Sequence, residues 1–338
     1  MNNNHADKTR RDFLKNVVIG ALVAGTAKIS LARATVNELT TAKSKVVIAR
    51  DPLVYGASST PDSGRVLNML DHAMQTFYDA NDPLTPWKKL LRSGEVVGLK
   101  VNTIAGPALS THPVLVEAIC ERLKQAGVKP ENIVVWDRTN EELDRAGFKL
   151  SSSANGVRFL GTDSKDVGYD ELRMSFGTVA TRLSKLLTQK CDCMINVPIL
   201  KHHSGSGVTL AMKNMYGVNH NPNKLHDNNC CPYIADLNML PAIRYKFRLV
   251  IADAMTACYE GGPGFRPQFA WKHNGLLVAS DPVAIDYTAW QIIERKRAES
   301  GLKPLAQSGT PPKYIAVAAD PQHLLGTNDP KRISLMEV

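Results

Sequence analysis

The 338-residue sequence lacks the sequence patterns of several common classes of protein. No apolar run reaches the roughly 18 residues that a membrane-spanning helix needs, so we expect no stable membrane span. No Cys-x-x-Cys pair is present, which argues against an iron–sulphur cluster of the ferredoxin type and against a zinc ribbon. The His-Glu-x-x-His motif of zinc proteases is missing, as are two common phosphate-binding motifs, Gly-x-x-x-x-Gly-Lys-Ser/Thr and Gly-x-Gly-x-x-Gly.

The charge is basic on balance, but the basic residues are not clustered. Lys and Arg number 41 against 32 Asp and Glu, a net charge of +9. Residues 1–34 hold six of the basic and two of the acidic residues, so 35 minus 30 leaves +5 on the rest. No dense Lys/Arg run with interleaved aromatic residues is present there, which makes nucleic acid a poor candidate partner. A mild positive charge is compatible with an anionic small-molecule substrate.

Residues 1–34 have the organisation of an export signal. A basic region containing RRDFLK is followed by an apolar run (17–27) and by the small-x-small tripeptide ARA (32–34). The paired arginines resemble the twin-arginine signal, whose pathway carries proteins that are already folded. We therefore expect cleavage of residues 1–34, the twin-arginine export machinery as a partner, and a periplasmic or secreted location. The alternative is a chance Arg-Arg pair before a buried helix.

Export would expose six cysteines to an oxidising compartment. Cys120 and Cys258 lie in apolar contexts that are typical of core residues, and the others are Cys191, Cys193, Cys230 and Cys231. One or two disulfides are compatible with these positions, and the sequence leaves their pairing open.

After a linker at 35–44, apolar strand-like runs alternate with helix-like segments. The predicted strands lie at 45–50, 95–102, 132–138, 156–162, 191–200, 248–255, 275–280 and 314–320. The predicted helices lie at 65–77, 113–127, 140–147, 178–188 and 282–299, with a further helix beginning near Val208. This alternation predicts an α/β fold with a largely parallel β-sheet flanked by helices, in a single domain over 45–338.

Polar side chains follow several of the predicted strands. In parallel sheets, ligands bind beyond the carboxyl ends of the strands, so we expect these side chains to converge. They are Asn102, Thr103, Asp137, Arg138, Lys201, His202, His203, Asp253 and Asp281. Asp281 and Asp286 also fit a second interpretation, in which they cap and orient the helix that follows. The run YEGGPGF (259–265) allows close backbone approach to a ligand and is equally compatible with a turn.

The segment 195–226 holds four of the nine histidines, namely His202, His203, His220 and His226, together with Lys201 and Lys213. Imidazole is the commonest metal ligand and titrates near neutrality, so the cluster predicts a metal or acid–base site. Lys213 would bind an anion, or act as a nucleophile if burial lowered its pKa. An exposed lysine and solvated loop histidines are the alternatives. The Gly/Ser loop after His203, followed by a helix, would also suit an anion.

These residues resemble the family called domain of unknown function 362. The resemblance rests on NVPILKHHSGSGVTLAMKNMYGV, on the downstream His226, and on IADAM…GGP and ASDPVAID, and it extends over roughly 45–300. The upstream LKVNT…THPVLVEAICERLKQAG…NIVVWDR fits as well. Some relatives carry a ferredoxin-like cluster, whose cysteines this chain lacks. The segment 301–338 is then a C-terminal extension of the same domain.

A more distant resemblance is to the catalytic domain of lactate racemase, an enzyme of α-hydroxy acids that uses a nickel-pincer nucleotide. The resemblance implies a similar fold, with His203 as catalytic residue, Lys213 as the anchor of the nucleotide and His226 as nickel ligand. Two motifs depart from that family. NTIA (102–105) replaces its Asp-x-Thr-Arg motif and WDRT (136–139) replaces its Gly-Thr-His-Arg turn, so racemisation in the strict sense is not implied.

Two hypotheses follow. The first is an exported enzyme that depends on a metal or cofactor and performs redox or proton-transfer chemistry on a small hydroxylated or carboxylated molecule. Its catalytic residues would be His203 and Lys213, its metal ligands His203, His226 and Asp253, and Arg138 a supporting group. Its cofactor-binding residues would be Lys201, Ser204, Gly205, Lys213, Asn214, Gly261 and Gly262. The second hypothesis is a non-catalytic periplasmic protein that binds a metal or ligand through the same residues.

Overall fold

The computed structural model describes residues 43–338. The predicted export signal and residues 35–42 of the predicted linker lie outside the described residues. Residues 44–338 form one unit built around a single large sheet. Within the described part of the chain, no helix is long and apolar enough to cross a membrane.

Ten strands belong to the large sheet, and two form a separate hairpin. The ten are β1 (Ser44–Arg50), β2 (Val97–Val101), β3 (Ile133–Asp137), β4 (Arg158–Gly161), β7 (Cys193–Val197), β8 (Ile199–His203), β9 (Gly207–Thr209), β10 (Phe247–Cys258), β11 (Ala270–Ala279) and β12 (Ile333–Glu337). The hairpin consists of β5 (Met174–Phe176) and β6 (Val179–Thr181). The main order across the sheet is β12-β1-β11-β10-β7-β2-β3-β4. The strand β8 continues alongside β10 and carries β9 as its hairpin partner.

The sheet is largely parallel, as the sequence predicts. Only β11 in the main path runs against its neighbours, because it pairs antiparallel with both β1 and β10. All other neighbouring pairs along the main path are parallel. The α/β prediction is therefore confirmed.

The regular α-helices are α1 (Ser63–Tyr78), α2 (Thr85–Leu90), α3 (Pro113–Gln125), α4 (Asn140–Arg145), α5 (Ala211–Asn214), α6 (Tyr233–Asn238), α7 (Pro241–Arg244), α8 (Pro282–Glu299) and α9 (Tyr314–Ala318). Asp227–Cys230 forms a further, irregular turn with positive φ at Asn228 and Asn229. Helix α1 packs on β1, β11 and α3, whereas α8 packs on β11, β1 and α5. Alternate residues of β1 enter different cores, Val47 with the α1 side and Val46 with the α8 side. Both faces of the sheet are therefore covered, which explains the continuous apolar runs.

Four local predictions are wrong. Residues 314–320 form α9 rather than a strand, because Tyr314, Ile315 and Ala318 recur at helical spacing on one buried face. Residues 178–188 contain β6 and only the first residues of a single π-helical turn, Leu186–Lys190, instead of a continuous helix. The predicted strand at 191–200 is two strands separated by Pro198, and residues 207–209 form β9 before the short α5.

Asp281 is the N-cap of α8, which agrees with the interpretation of this residue as a helix cap and not as a ligand-binding group. Its side chain accepts hydrogen bonds from the backbone N–H groups of Val283 and Ala284 at 2.9 and 2.8 Å. It also accepts from the hydroxyl of Ser44 and the N–H of Thr327. Asp281 therefore joins three distant segments and does not contribute to a ligand site.

All six cysteines lie in the described part of the chain, and there they are buried and free.

Candidate functional site

A cavity of about 280 Å³ lies where several parallel strands end. Its wall includes Asn102 after β2, Asp137 and Arg138 at the end of β3, and Lys201 and His203 at the end of β8. The carboxyl ends of parallel strands meet at one edge of the sheet, which is why groups distant in sequence converge here. Further lining residues are Lys100, Glu142, Thr209, Lys213, Tyr216 and His226.

The hairpin of β8 and β9 presents one face to the cavity. Lys201 pairs with Thr209, and His203 pairs with Gly207, in an antiparallel register. Because side chains alternate along a strand, Lys201 and His203 share one face, and Thr209 shares it because it lies directly opposite Lys201. All three line the cavity, whereas His202 points to the other face.

His202 has a structural role on that other face. Its Nδ1 accepts a hydrogen bond from the backbone N–H of Gly262 at 3.1 Å, and burial lowers its pKa to about 4. A Cβ at Gly262 would lie 1.8 Å from the His202 carbonyl oxygen, so only glycine allows this close approach. Gly261 and Gly262 therefore pack against β8 and do not line the cavity, contrary to their predicted cofactor-binding role.

His203 faces the cavity as a hydrogen-bond donor. Its Nδ1 accepts from the backbone N–H groups of Gly205 and Ser206 at 2.9 and 3.2 Å. Burial, followed by the charge of Lys213, lowers its pKa to about 2, so the ring is neutral. A neutral imidazole whose Nδ1 accepts must carry its proton on Nε2, a tautomer assigned here from the hydrogen bonds. This geometry does not favour His203 as a general base.

Lys213 and His226 form a second functional pair. The Nζ of Lys213 lies 3.3 Å from Nε2 of His226 and 3.6 Å from the centre of the Tyr216 ring. His226 Nδ1 lies 2.9 Å from the carbonyl oxygen of Pro222, which can only accept, so Nε2 presents a lone pair to the lysine. Burial lowers the pKa of Lys213 to about 7, and burial with the nearby lysine lowers that of His226. Near pH 7 the Lys213 amine is therefore able to accept a proton.

Lys201 is held by uncharged groups. Its Nζ donates to Asn102 Oδ1 at 2.9 Å and to the carbonyl oxygen of Leu109 at 3.5 Å. Asn102 in turn donates to Asn214, and Asn214 donates to Asn196, at 3.0 and 2.7 Å. The side chain is fully buried, and burial lowers its pKa to about 7. A chain of amides therefore positions a second lysine that titrates near neutrality.

An ion pair forms another part of the wall. Lys100 Nζ lies 2.6 Å from Asp137 Oδ1, and Thr103 donates both its N–H and its hydroxyl to Asp137 Oδ2. A Cβ at Gly217 would lie 2.8 Å from both Lys100 Nζ and Asp137 Oδ1. Thr103 thus supports the pair from outside the cavity, and glycine at 217 leaves room for it. Glu142 also lines the cavity, and burial, followed by the charge of Asp137, raises its pKa.

Asp286 holds the short helix that carries Lys213. Its carboxylate accepts from the backbone N–H groups of Ala211 and Met212 at 2.7 and 3.2 Å and from the Tyr314 hydroxyl at 3.0 Å. Burial raises its pKa to about 7, although these hydrogen bonds act in the opposite direction. Asp286 therefore caps α5, instead of the helix α8 in which it lies.

Asp253 lies apart from the cavity. Its Oδ2 accepts from the backbone N–H and the ring Nδ1 of His112 at 2.8 and 2.7 Å, and its Oδ1 accepts from the N–H of Met255. The carboxylate is fully buried and engaged by these groups. Of the predicted metal ligands, His203 and His226 are brought together, with their rings stacked at 5.6 Å between centres, whereas Asp253 lies apart from them.

Other predicted residues are divided between the cavity and its surroundings. Lys201, Lys213 and Asn214 line the cavity, as does Arg138. Ser204 and Gly205 form the turn between β8 and β9 instead. Outside the cavity, His220 is exposed and packs its ring edge-on against Tyr169.

Sequence reasoning missed several residues of the wall, above all Lys100, Glu142, Thr209 and Tyr216. Lys100 had a usable signal, because a lysine inside the apolar run VVGLKV is rarely buried without a specific partner. Thr209 had none, because the helix predicted near Val208 concealed the hairpin that carries it.

A metal held only by protein side chains does not fit these residues. Across residues 43–338, no group of three His, Cys, Asp or Glu side chains is spaced to hold an ion. Each of the three predicted ligands is engaged: His203 carries its proton on Nε2, His226 Nε2 faces the amine of Lys213, and Asp253 binds His112.

Comparison with known proteins identifies the family. The model of a domain of unknown function (DUF362) matches residues 97–291, more than half of the chain. No curated protein matches. A crystal structure of a protein from Thermotoga maritima is similar with a TM-score of 0.41 and 10% identity, over 72% of this chain and 60% of that one. The chain belongs to the DUF362 family, which confirms the first of the two resemblances seen in the sequence; the more distant one, to lactate racemase, stays a prediction.

Proposed function

We propose that this member of the DUF362 family is an enzyme that moves a proton on a small anionic substrate, hydroxylated or carboxylated, with Lys213 as general base. One observation carries the proposal. The Lys213 amine is buried at the cavity, its pKa is lowered to about 7, and its nearest polar partner is the lone pair of His226. A general base works best when its pKa lies near the operating pH.

The surrounding groups supply the complementary functions. Arg138 gives the cavity positive charge for an anion, and Lys201 adds a second charge when an anion bound beside it favours its ammonium form, while the ion pair with Lys100 already compensates Asp137. Nε2–H of His203 is a donor for a substrate oxygen, since neutral imidazole can polarise a carbonyl or carboxylate without losing its proton. His226 accepts a hydrogen bond from Lys213 and orients its amine.

The reaction class that suits these groups is removal of a proton from carbon next to a carboxylate or carbonyl. Lys213 takes the proton as its amine becomes an ammonium, and the electron pair of the broken C–H bond moves onto the substrate oxygens. The donors of the cavity stabilise the charge that develops there. Return of a proton to the same carbon completes a hydrogen exchange with solvent. If the electron pair forms another bond instead, the result is a net reaction.

The test is exchange of substrate hydrogen in D2O. The protein is incubated with a panel of 2-hydroxy and 2-oxo carboxylates of three to six carbons, and deuterium at the acidic carbon is followed by proton NMR. We expect exchange with the wild type, a loss of about 100-fold or more in Lys213→Met, and little change in the matched control Lys224→Met. Lys224 lies in the same loop region but is exposed.

A non-catalytic binding protein is the alternative, and the panel separates the two functions. Binding of a carboxylate without exchange in the wild type would support the alternative. Exchange that persists in Lys213→Met would contradict the assignment of Lys213 as the general base.

Export and cofactor use are proposals that rest on the sequence. We propose that residues 1–34 direct export by the twin-arginine machinery to a periplasmic or secreted location, which double substitution of Arg10 and Arg11 by Lys should abolish in a fractionation assay. A metal, or a pincer nucleotide on Lys213, stays a prediction, and the nucleotide is an alternative to the proposed base because the amine that holds it cannot also take up the proton. Elemental analysis and the intact mass of protein exported by its own signal test it.

A further inference from the structure

The hydroxyl of Thr209 is a buried polar group without a partner. The residue is 3% exposed, it lines the cavity, and its Oγ1 has no hydrogen-bond partner among the described residues. A buried hydroxyl left unpaired is destabilising, and native proteins pair most such groups. A hydroxyl that no protein group engages at the wall of a cavity is available to a ligand that enters the cavity.

Two more donors lie on the same face as this hydroxyl. Lys201 is directly opposite Thr209 in the register of the hairpin, and His203 is two residues further along β8. Side chains directly opposite in an antiparallel pair have Cβ atoms about 4.5–5.5 Å apart, close enough to contact one small group together. The His203 ring presents Nε2–H, and Lys201 retains an N–H beyond its bonds to Asn102 and Leu109 when it is protonated.

We propose that Lys201, His203 and Thr209 form a subsite that binds the carboxylate group of the substrate. The inference rests on the proposed function and deepens it, because it identifies which end of the substrate the hairpin holds and leaves the other end to Lys213 and His226. The hairpin is a rigid carrier for such a subsite, since its backbone pairing fixes all three side chains in one register.

A carboxylate fits the subsite better than a doubly charged phosphate. Glu142 lines the same cavity without a cationic partner as close as the one that Lys100 gives Asp137, so a second negative charge on the ligand would meet repulsion from Glu142 when it is ionised. Three donors match the acceptor capacity of one carboxylate, whose two oxygens accept about four hydrogen bonds. The ligand class is thus a small monocarboxylate.

The test compares two substitutions of Thr209 that differ in the hydroxyl. Affinity is measured by ligand-observed NMR for 2-hydroxy monocarboxylates of three to six carbons, for their uncharged primary amides and for inorganic phosphate. We expect Thr209→Val to weaken binding of the carboxylates by about tenfold or more, because a hydrogen bond to a charged group is lost. Thr209→Ser keeps the hydroxyl and should bind within about threefold of the wild type. The amides and phosphate should bind more weakly than the carboxylates.

Thermal unfolding of the ligand-free variants provides an independent readout. Thr209→Val should unfold at the same temperature as the wild type or higher, since it removes an unpaired buried hydroxyl. If Thr209→Val does not fold, the Thr209 methyl resonance of the wild type tests the subsite instead. This resonance should shift on titration with a carboxylate and should not shift with the amide.

Unchanged carboxylate affinity in Thr209→Val, or phosphate bound more tightly than any carboxylate, would overturn the subsite. The proposed function would survive that result if exchange in D2O still depended on Lys213. Carboxylate binding that depends on Thr209, combined with no exchange in the wild type, would instead support the subsite and contradict the proposed enzymatic function.

Discussion

Binding of a carboxylate should draw a proton from solution at alkaline pH. Lys201 has a pKa of about 7 in the free protein because it is fully buried among uncharged partners. At pH 8 it is then only about one tenth protonated. A carboxylate beside it favours the ammonium and restores its pKa toward the ordinary value of about 10.4, so Lys201 takes up about 0.9 proton on binding.

The size of this effect depends on pH in a defined direction. At pH 6 Lys201 is already about nine tenths protonated, so uptake falls to about 0.1 proton. Lys213 shares the cavity and has a similar pKa, so two lysines set an upper limit of about 1.8 protons at pH 8. Carboxylate affinity should fall by about tenfold per pH unit above pH 8 for each proton taken up.

Isothermal titration calorimetry measures this uptake directly. Titrations are repeated at pH 6 and pH 8 in two buffers that differ in ionisation enthalpy, and the difference in heat gives the number of protons bound. Lys201→Met should lower the uptake at pH 8 by about 0.9 proton. Equal uptake at the two pH values, or none at pH 8 in the wild type, would refute the assignment of a neutral lysine at the cavity.

Two further predictions concern the scaffold. His323 lies between Asp236 and Asp320, each 2.8 Å from one ring nitrogen; burial opposes the charged ring, but these carboxylates raise its pKa. Its stabilising contribution is therefore present below the unfolded pKa of about 6.5 and lost as pH rises through the folded value, so His323→Gln should lower the unfolding temperature more at pH 5.5 than at pH 9. Lys246 donates to the carbonyl oxygens of Leu187, Thr188 and Cys191 at 2.7–2.9 Å. Lys246→Met should cost about 2–4 kcal/mol in chemical denaturation, and the exposed control Lys190→Met should cost less than about 0.5 kcal/mol.

The sheet could be predicted because strands that are buried on both faces have continuous apolar sequences. The apolar runs of β1, β2, β3, β7, β10 and β11 are continuous, and glycine or proline marks several of the boundaries of the helices. The errors fall where the elements are short. Tyr314–Ala318 carries too few residues to separate helical from strand periodicity, and Gly207–Thr209 has no period of its own.

The candidate site could be located but not assembled from sequence. Strand ends and the cluster of histidines and lysines indicated the edge of the sheet at which the cavity lies. The role of each of the two histidines His202 and His203, however, depends on which backbone N–H group its ring binds, and the sequence does not show this. His202 and His203 are adjacent in sequence, yet one accepts from Gly262 on the far side of the hairpin and the other faces the cavity. Their opposite positions follow from the alternation of side chains once β8 is recognised as a strand.

The pairing of β8 with β10 explains why the prediction of Asp253 as a partner of His203 is wrong. It sits in β10 beside Ile199, at the start of β8, whereas His203 ends that strand. His112 then engages the carboxylate by donating its backbone N–H and its ring Nδ1–H to Asp253. Spacing along the chain gives neither the pairing of β8 with β10 nor this contact.

The most direct test of the central claim is hydrogen exchange on a carboxylate substrate in D2O, with wild type, Lys213→Met and Lys224→Met compared at pH 8. The account predicts deuterium at the acidic carbon with the wild type and with Lys224→Met, and a loss of about 100-fold or more with Lys213→Met. Equal exchange in all three proteins would contradict the assignment of Lys213 as the base.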